Sequence, residues 1–488
     1  MLDNAGNGFD GAVSFASRGP ANLQNVTVRN STAIDLQALA IAGNLNVVAG
    51  GAIGQSGALA VGGTSSFTAA AGQSIVLTNA GNSFTGAVSF VSGGPGNLQN
   101  VTVRDSTALD LQALTLDGNL GVTAAGAITQ SGALIIGGTS SFAATAGQSI
   151  LLGNAGNSFA GAVSLATSGA GNLQNVTLRD LTSLDLQALT INGDLNIVAG
   201  GAISQSGSLN VAGAASFRTL NDPGAAITLA GVNSFGSVQA AVRNAADTTN
   251  AAASVFIEES NDTLLGDMQT GAGQSVSVRS AGSIAALANT SITTSSVSLA
   301  AAGDIGSSSA SVSLATSSGR IGAESSGSVY LTNTSGVGSV ALDRVVAGNA
   351  GTISFVSDGD IQVADVRAGD SVSLTSTNGN IVDDNVAGAG SQLVTGNLTL
   401  LAAGAIGQAP GVGNGALDLQ TGSVSATAQA GGVYLDETGG DINIRQISAA
   451  GPVRIQAATG SILDDAADAT AASITRSEEH TSELQSPI

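Results

Sequence analysis

The chain has 488 residues, of which 43% are hydrophobic and 3% aromatic, with 68 glycines. This composition is too apolar for a disordered protein and too poor in Glu, Lys and Leu for a helical one, so it predicts an all-β fold. The net charge of −21, with all 13 basic residues arginine and no cysteine, disfavours nucleic acid as a partner and excludes disulfides and thiolate sites.

Three near-identical repeats make up residues 1–219. The stretches NAGNGFDGAVSF, NAGNSFTGAVSF and NAGNSFAGAVSL begin at Asn4, Asn79 and Asn154, which sets a 75-residue period, and NLQNV and DLQAL recur with the same period. Within each repeat, apolar residues alternate with small polar ones, and Gly or Asn stands at the breaks. This pattern predicts short strands joined by tight turns.

Residues 220–475 form a divergent region in which the long period fades while a shorter motif continues. SVSLAAAGDI, TISFVSDGDI and SVSLTSTNGNI begin at Ser296, Thr352 and Ser371, and such motifs recur at multiples of roughly 20 residues. A coil of this size without a helix signal is typical of one rung of a parallel β-helix, in which each strand pairs with the coils above and below. We therefore predict an elongated solenoid of about 20-residue rungs, with four rungs per 75-residue repeat. Residues 244–263 interrupt the pattern and predict a protruding loop.

The inward positions of such a coil should stack like on like along the solenoid. On this basis five phenylalanines are predicted to fill the core, because burial is the usual role of an aromatic side chain. They are Phe15, Phe67, Phe90, Phe142 and Phe217.

The two ends of the chain differ from the repeats between them. Residues 476–488 break the pattern and resemble the translation of a sequencing-library adapter, so we interpret them as a non-native tail. His480, the single histidine, lies in this tail, which leaves no His-dependent triad. Met1 opens almost directly onto a repeat, and we expect the chain to be an interior part of a longer one. No stretch approaches about 18 apolar residues, so we predict no membrane insertion.

Carboxylates are the candidate functional groups in the repeats. Asp35, Asp110 and Asp185 recur once per repeat. With four rungs per repeat they would lie about 19 Å apart, too far to act together. We interpret them as solvated or turn-capping residues.

Denser sets of carboxylates lie in the divergent region, one between residues 358 and 384 and one at Asp436, Glu437 and Asp441. Asp358, Asp360, Asp383 and Asp384 are candidate Ca²⁺ ligands, because Ca²⁺ takes roughly six to eight hard oxygen ligands. An acid–base pair with Arg367 as charge stabiliser is the other reading. Against both, the Gly-Asp-Ile motif recurs as Gly-Asn-Ile and Gly-Ser-Ile, so its Asp position tolerates loss of charge, as expected of a turn residue. No other cofactor is expected.

Several motifs resemble the β-helical shaft of the filamentous haemagglutinin family, which comprises large adhesins and exoproteins of diderm bacteria exported by two-partner secretion. The resemblance rests on GGAIGQSGAL at Gly50–Leu59 and on the endings GNIVDD and GSILDD, at Gly379–Asp384 and Gly460–Asp465. It covers residues 2–475 and implies a right-handed β-helix that is secreted or held at the bacterial cell surface. The family's amino-terminal secretion domain, with its NPNG-type signature, is not found in this sequence.

The resemblance implies a non-enzymatic shaft segment that mediates adhesion, aggregation or biofilm contact and contributes to virulence. An outer-membrane transporter would be its export partner, and regions outside this fragment would bind glycans or proteins of host cells or matrix. A matrix or surface-layer structural protein remains an alternative, as does a β-helical polysaccharide lyase or hydrolase. Unpaired end rungs also predict end-to-end self-association.

Overall fold

The computed structural model describes residues 1–18, 22–316, 319–335, 338–384, 392–409, 415–464, 474–476 and 483–485. Within these ranges the fold is all-β, without a helix, and parallel strands stack in turns of about 21 residues. The predicted β-solenoid is confirmed. The chain divides into two compact units, unit 1 at Met1–Gly236 and unit 2 at Ser237–Ile488.

Unit 1 holds strands of mostly two to five residues. They are β1 Val26–Asn30, β2 Ile34–Leu36, β3 Leu39–Ile41, β4 Leu45–Ala49, β5 Ile53–Gln55, β6 Leu59–Val61, β7 Ser65–Ala69, β8 Ile75–Leu77, β9 Ser83–Phe84, β10 Val88–Ser92, β11 Val101–Asp105, β12 Leu109–Leu111, β13 Leu114–Leu116, β14 Leu120–Ala124, β15 Ile128–Gln130, β16 Leu134–Ile136, β17 Ser140–Ala144, β18 Ile150–Leu152, β19 Ser158–Phe159, β20 Val163–Thr167, β21 Val176–Asp180, β22 Leu184–Leu186, β23 Leu189–Ile191, β24 Leu195–Ala199, β25 Ile203–Gln205 and β26 Leu209–Leu220.

The unit boundary falls within β27 Ile227–Arg243. The strands that follow are β28 Val255–Glu259, β29 Thr263–Gln269, β30 Ser275–Ser280, β31 Ile284–Ala286, β32 Ile292–Thr293, β33 Ser296–Ala301, β34 Val312–Ala315, β35 Arg320–Ser325, β36 Val329–Asn333, β37 Ser339–Val346, β38 Thr352–Ser357, β39 Asp360–Val363, β40 Val366–Arg367, β41 Ser371–Ser376, β42 Ile381–Asp383, β43 Leu393–Ala402, β44 Leu417–Ala428, β45 Val433–Glu437, β46 Ile442–Ala449, β47 Val453–Ala457, β48 Ile462–Asp464, β49 Ile474–Arg476 and β50 Glu483–Gln485.

Most strands of unit 1 pair in parallel with the strand three places along the chain, and β10 instead pairs with β12. β1 pairs with β4, β4 with β7 and β7 with β10, so that Val26, Leu45, Ser65 and Val88 follow one another from turn to turn. The second face runs from β2 through β5 and β8 to β11, and the third from β3 through β6 to β9. One turn of unit 1 therefore consists of three strands.

A 75-residue repeat does not fill a whole number of turns. The paired strands run from β1 through β4, β7, β10, β12, β15 and β18 to β21, so seven turns separate Val26 from Val176 two repeats later, and each repeat makes three and a half turns. The equivalent strands β1 and β11 accordingly lie on different faces, since β11 pairs with β8 on the second face. The expectation of four rungs per repeat is wrong, and each repeat is rotated by half a turn relative to the one before, so that β21 returns to the face of β1.

The core of each turn consists of the alternate residues of its strands. Phe67, Phe90, Phe142 and Phe217 are at most 3% exposed, as predicted, whereas Phe15 is only half-buried. Phe67 packs against Phe90 of the next turn with the rings nearly parallel and their centroids 5.9 Å apart. The stacking of like residues therefore supplies much of the contact between turns.

Side-chain oxygens at the corners continue the backbone ladder between turns. The Asn25 amide oxygen accepts the Asn44 N–H at 2.7 Å, and the Asn44 amide oxygen in turn accepts the Thr64 N–H at 2.9 Å. Asn and Asp bond readily to nearby backbone in this way, which explains their place at the breaks between strands. Each corner thus satisfies backbone groups of the turn beside it.

The structure describes two segments that the sequence analysis set apart, residues 244–263 in full and the tail at 476–488 in part. Within 244–263, an antiparallel bridge joins Arg243 to Asn250 and closes a tight turn, after which β28 pairs in register with β30. In the predicted non-native tail, the described residues are Arg476 and 483–485, and His480 lies outside the described residues.

Candidate functional site

Asp360, the Asp of a Gly-Asp-Ile motif, acts as a corner residue. Its carboxylate accepts the Asn380 backbone N–H at 2.7 Å and the Asn380 side-chain N–H at 3.0 Å. The Asn380 amide oxygen then accepts the Ala405 N–H one turn further on, at 2.8 Å. The corner ladder therefore explains why Asp and Asn alternate at this position.

The other predicted calcium ligands lie apart from Asp360. In the pairing of β39 with β42, Asp383 is opposite Val363, three residues along the strand from Asp360, a separation of about 10 Å. Asp383 accepts a hydrogen bond from the Gln392 side chain. The backbone N–H groups of Asp358 and Asp384 donate to the preceding turn.

The structure thus distributes the four predicted ligands between the start of β39 and the end of β42. In the part of the chain that the structure describes, no three His, Cys, Asp or Glu side chains are grouped so as to hold a metal ion. Arg367 is ion-paired with Asp365. The calcium site stays a prediction.

A second group of carboxylates lies where β44 pairs with β45. Asp418 is directly opposite Asp436 in this parallel pairing, so their strands are one turn, about 4.8 Å, apart. Asp436 forms an ion pair with Arg454 at 3.2 Å, with both side chains about one third exposed. The Asp418 N–H donates to the Gln392 amide, whose other end contacts Asp383. We call Asp383, Asp418 and Asp436 the carboxylate row.

Burial raises the pKa of two members of this row, Asp418 and Asp436. For Asp418 the largest cause is desolvation, and the negative charges of Asp436 and Asp383 raise its pKa further. For Asp436 desolvation outweighs the opposing effect of Arg454. Two carboxylates on neighbouring turns are the kind of pair from which glycoside hydrolysis takes its acid and its base or nucleophile. The carboxylate row is therefore the position where a catalytic role would be tested.

Sequence reasoning singled out Asp436 but missed Asp418. The available signal was the Leu-Asp pair that occurs in both LDLQTG and YLDETG, with Asp418 and Asp436 separated by close to the length of one turn. A shared dipeptide at that spacing predicts register between the strands only when the turn length is already known.

The repeated carboxylates Asp35, Asp110 and Asp185 are the central, outward residues of strands β2, β12 and β22, in line with the solvated alternative of the prediction. Each accepts a hydrogen bond from a serine of the next turn, and the Asp35 carboxylate accepts the Ser56 hydroxyl at 2.6 Å. Asp35 and Asp110 lie on different faces, because β12 pairs with β10 and β2 with β5, whereas Asp35 and Asp185 are two repeats, or seven turns, apart. Their predicted inability to cooperate follows from this rotation as well as from distance.

Comparison with known proteins identifies the repeats without assigning them a role. No curated protein and no solved structure matches the chain. Among the described residues, none forms a helix long and apolar enough to cross a bilayer. Residues 23–91, 98–166 and 173–242 match a family described as repeats of unknown function (DUF5649).

Proposed function

We propose that this chain is a structural shaft segment of a secreted bacterial surface adhesin or exoprotein. In this role it separates a binding region from its anchor and presents a repetitive surface for adhesion, aggregation or biofilm contact. It acts without catalysis, and it reaches the cell surface through an outer-membrane transporter.

The stacking of turns is the observation that carries this proposal. Strand after strand in each unit gives its backbone hydrogen bonds to the adjacent turns, and the core consists of side chains stacked between those turns. Such a chain grows by adding nearest-neighbour interfaces, so its extent along the axis increases with the number of repeats. Extension by repetition is the property that a shaft needs.

The use of the polar side chains supports the same role. Side-chain oxygens at the corners accept hydrogen bonds from backbone N–H groups of the next turn. They belong to Asn25 and Asn44 in unit 1 and to Asp360 and Asn380 in unit 2. The resemblance of the turns to the filamentous haemagglutinin shaft agrees with a location outside the cell.

The shaft role is tested by removing one whole repeat. The full chain is displayed on bacteria between a membrane anchor and a fluorescent tag, beside a variant lacking residues 79–153. Since the deletion joins equivalent positions, we expect the fold to survive and the tag to approach the membrane by three and a half turns, about 17 Å. Energy transfer from the tag to a membrane dye measures this change. An unchanged distance with an intact fold would contradict the shaft role.

The enzyme alternative makes a separate prediction. Purified chain would release new reducing ends or unsaturated products from bacterial or host polysaccharides, and Asp418→Asn or Asp436→Asn would abolish the release. We expect no turnover in either the parent or the variants. Turnover that depends on these two residues would replace the shaft proposal by a catalytic one.

A further inference from the structure

Unit 2 contains a flat face of small uncharged side chains. Strands β36, β38, β41, β43 and β44 pair in register, so their outward residues form columns that run from turn to turn. The central column is Tyr330, Ser354, Ser373, Thr399 and Ser425. The two flanking columns are Thr352, Ser371 and Asn397 on one side, and Thr332, Val356, Thr375, Leu401 and Thr427 on the other. We call this surface the hydroxyl face.

The hydroxyl face carries no charge in these columns, although the chain has a net charge of −21. Charges begin at its margins. Asp370 contacts the Thr352 and Ser371 hydroxyls at 3.3 and 3.4 Å, and Arg445 stands at the bulge where β46 departs from the register of β44.

Another face of unit 2 differs in this respect. Outward residues of β28, β30 and β35 include Glu258, Arg279 and Glu324, and Glu324 is ion-paired with Arg344 of β37 at 2.7 Å. The neutrality of the hydroxyl face is therefore a property of these particular strands and not of the whole unit.

Several hydroxyls of the central column are available for hydrogen bonds to another molecule. Within the described residues, the Ser354, Ser373, Thr399 and Ser425 hydroxyls make no hydrogen bond to the chain. In the flanking column that contains Thr352 and Ser371, these two hydroxyls are hydrogen-bonded to each other at 3.0 Å. The column spacing is about 4.8 Å between turns, and outward residues follow each other at about 6.6 Å along each strand.

We propose that the hydroxyl face is the lateral docking surface for a second copy of this chain. Two copies with a charge of −21 repel each other, and repulsion is smallest where facing surfaces are neutral. A face whose small side chains repeat every turn, at about 4.8 Å, matches itself, because identical columns interdigitate when two such sheets meet face to face. Val356 and Leu401 add apolar area to the contact.

The size of the face sets the strength of the pairing. Five or six strands spaced by about 4.8 Å, each presenting about 20 Å of length, cover roughly 500 Å² per copy, compared with about 800 Å² in a stable complex. A single contact is therefore weak, and pairing becomes durable when several copies held together engage several others at once. This inference does not depend on the proposed shaft role.

The absence of native cysteine allows a direct test by cross-linking. Full-length Ser354→Cys, Ser373→Cys and Thr399→Cys place one thiol at successive positions of the central column, so a shift of one turn between copies is still detected. Ser277→Cys, an outward position on the charged face beside Arg279, is the matched control. At tens of micromolar under mild oxidation, we expect at least one central-column variant to form disulfide dimers ten-fold faster than the control.

Reversing the neutrality of the face provides the second measurement. Adding Ser425→Arg to the fastest cross-linking variant should return its rate to that of the control, while the melting temperature remains unchanged because the residue is not buried. Equal cross-linking of all four cysteine variants would overturn the proposal. The proposal would also be overturned if the chain stays monomeric and instead binds insoluble polysaccharide through the hydroxyl face, with Ser425→Arg abolishing that binding.

Discussion

Substitution of Asp105 by asparagine should stabilise the protein, because the preceding repeat contains the same site with an amide. Asn30 occupies this position one repeat earlier; its Oδ1 accepts the Phe9 N–H at 2.8 Å, and its Nδ2 donates to the Phe9 and Ala33 carbonyl oxygens at 3.2 and 2.7 Å. Both Asn30 and Asp105 are 2% exposed. The site is therefore built for a side chain that accepts on one atom and donates on the other.

Asp105 provides the accepting atom of this site but not the donating one. Its Oδ1 accepts the Thr107 N–H at 3.0 Å and the Phe84 N–H at 3.3 Å, while its buried Oδ2 has no hydrogen-bond partner among the described residues. A buried polar group without a partner costs about 1–3 kcal/mol, and a restored hydrogen bond contributes about 0.5–1.5 kcal/mol. We expect Asp105→Asn to raise the free energy of unfolding by about 1–2 kcal/mol at neutral pH.

The pH dependence follows from the same burial. Desolvation raises the pKa of Asp105, and of its equivalent Asp180, against hydrogen bonds that lower it. Between the ordinary and the raised pKa, the folded chain holds protons that the unfolded chain has released. The free energy of unfolding therefore decreases as pH rises through this window, and the loss is complete above the raised pKa.

Denaturant unfolding followed by circular dichroism tests this reasoning. The advantage of the Asp105→Asn, Asp180→Asn double variant over the parent should be small near about pH 3, grow as pH rises and level off above the raised pKa. Asp110→Asn, which changes a more exposed carboxylate on the neighbouring strand, is the control and should shift stability by less than about 0.5 kcal/mol. A destabilised double variant, or an advantage that grows towards acid, would refute the argument.

Three further changes examine the core, a corner and the repeat length. Phe142→Ala removes a fully buried ring from β17 and should cost about 3–5 kcal/mol in chemical unfolding, whereas Ser141→Ala beside it should be nearly neutral. Gly407→Ala should destabilise by more than about 1 kcal/mol in thermal unfolding, since Gly407 has φ +66° and a Cβ would lie 2.2 Å from the Tyr434 carbonyl oxygen. Removal of residues 79–115, half a repeat, should leave the chain aggregated in size-exclusion chromatography, because it joins strands that do not follow one another around the turn.

The sequence predicts the solenoid well because its signal is local. Alternating apolar residues and Gly or Asn corners determine each strand by itself, and the Gly-Asp-Ile motif indicated a turn residue at Asp360, which lies at a corner. The turn count failed because it depends on corner lengths. The step between paired residues is longer from Ile75 to Val101 than from Val26 to Leu45, so dividing the repeat by one fixed rung length gives the wrong number.

The candidate site was harder to predict for a related reason. Asp418 acquires a raised pKa through the paired strand that holds Asp436 and through Asp383 on an earlier turn. Asp105 looks like an ordinary turn residue in the sequence VTVRDST, and its burial depends on the turns stacked on either side. Both properties arise from register between turns, which no short stretch of sequence contains.

The rotation of successive repeats by half a turn also explains which residues the repeats can use. Because β11 rests on β8 and not on β1, the VTV strand of one repeat must pack on the IVL strand of the repeat before it. The same contact recurs between β21 and β18 on another face. Every strand type thus meets a different type, and each type occurs on more than one face. Inward positions are consequently confined to side chains of interchangeable shape, mostly Val, Ile, Leu and Ala with stacked Phe, and a bulky residue adapted to one face would have no place on the next.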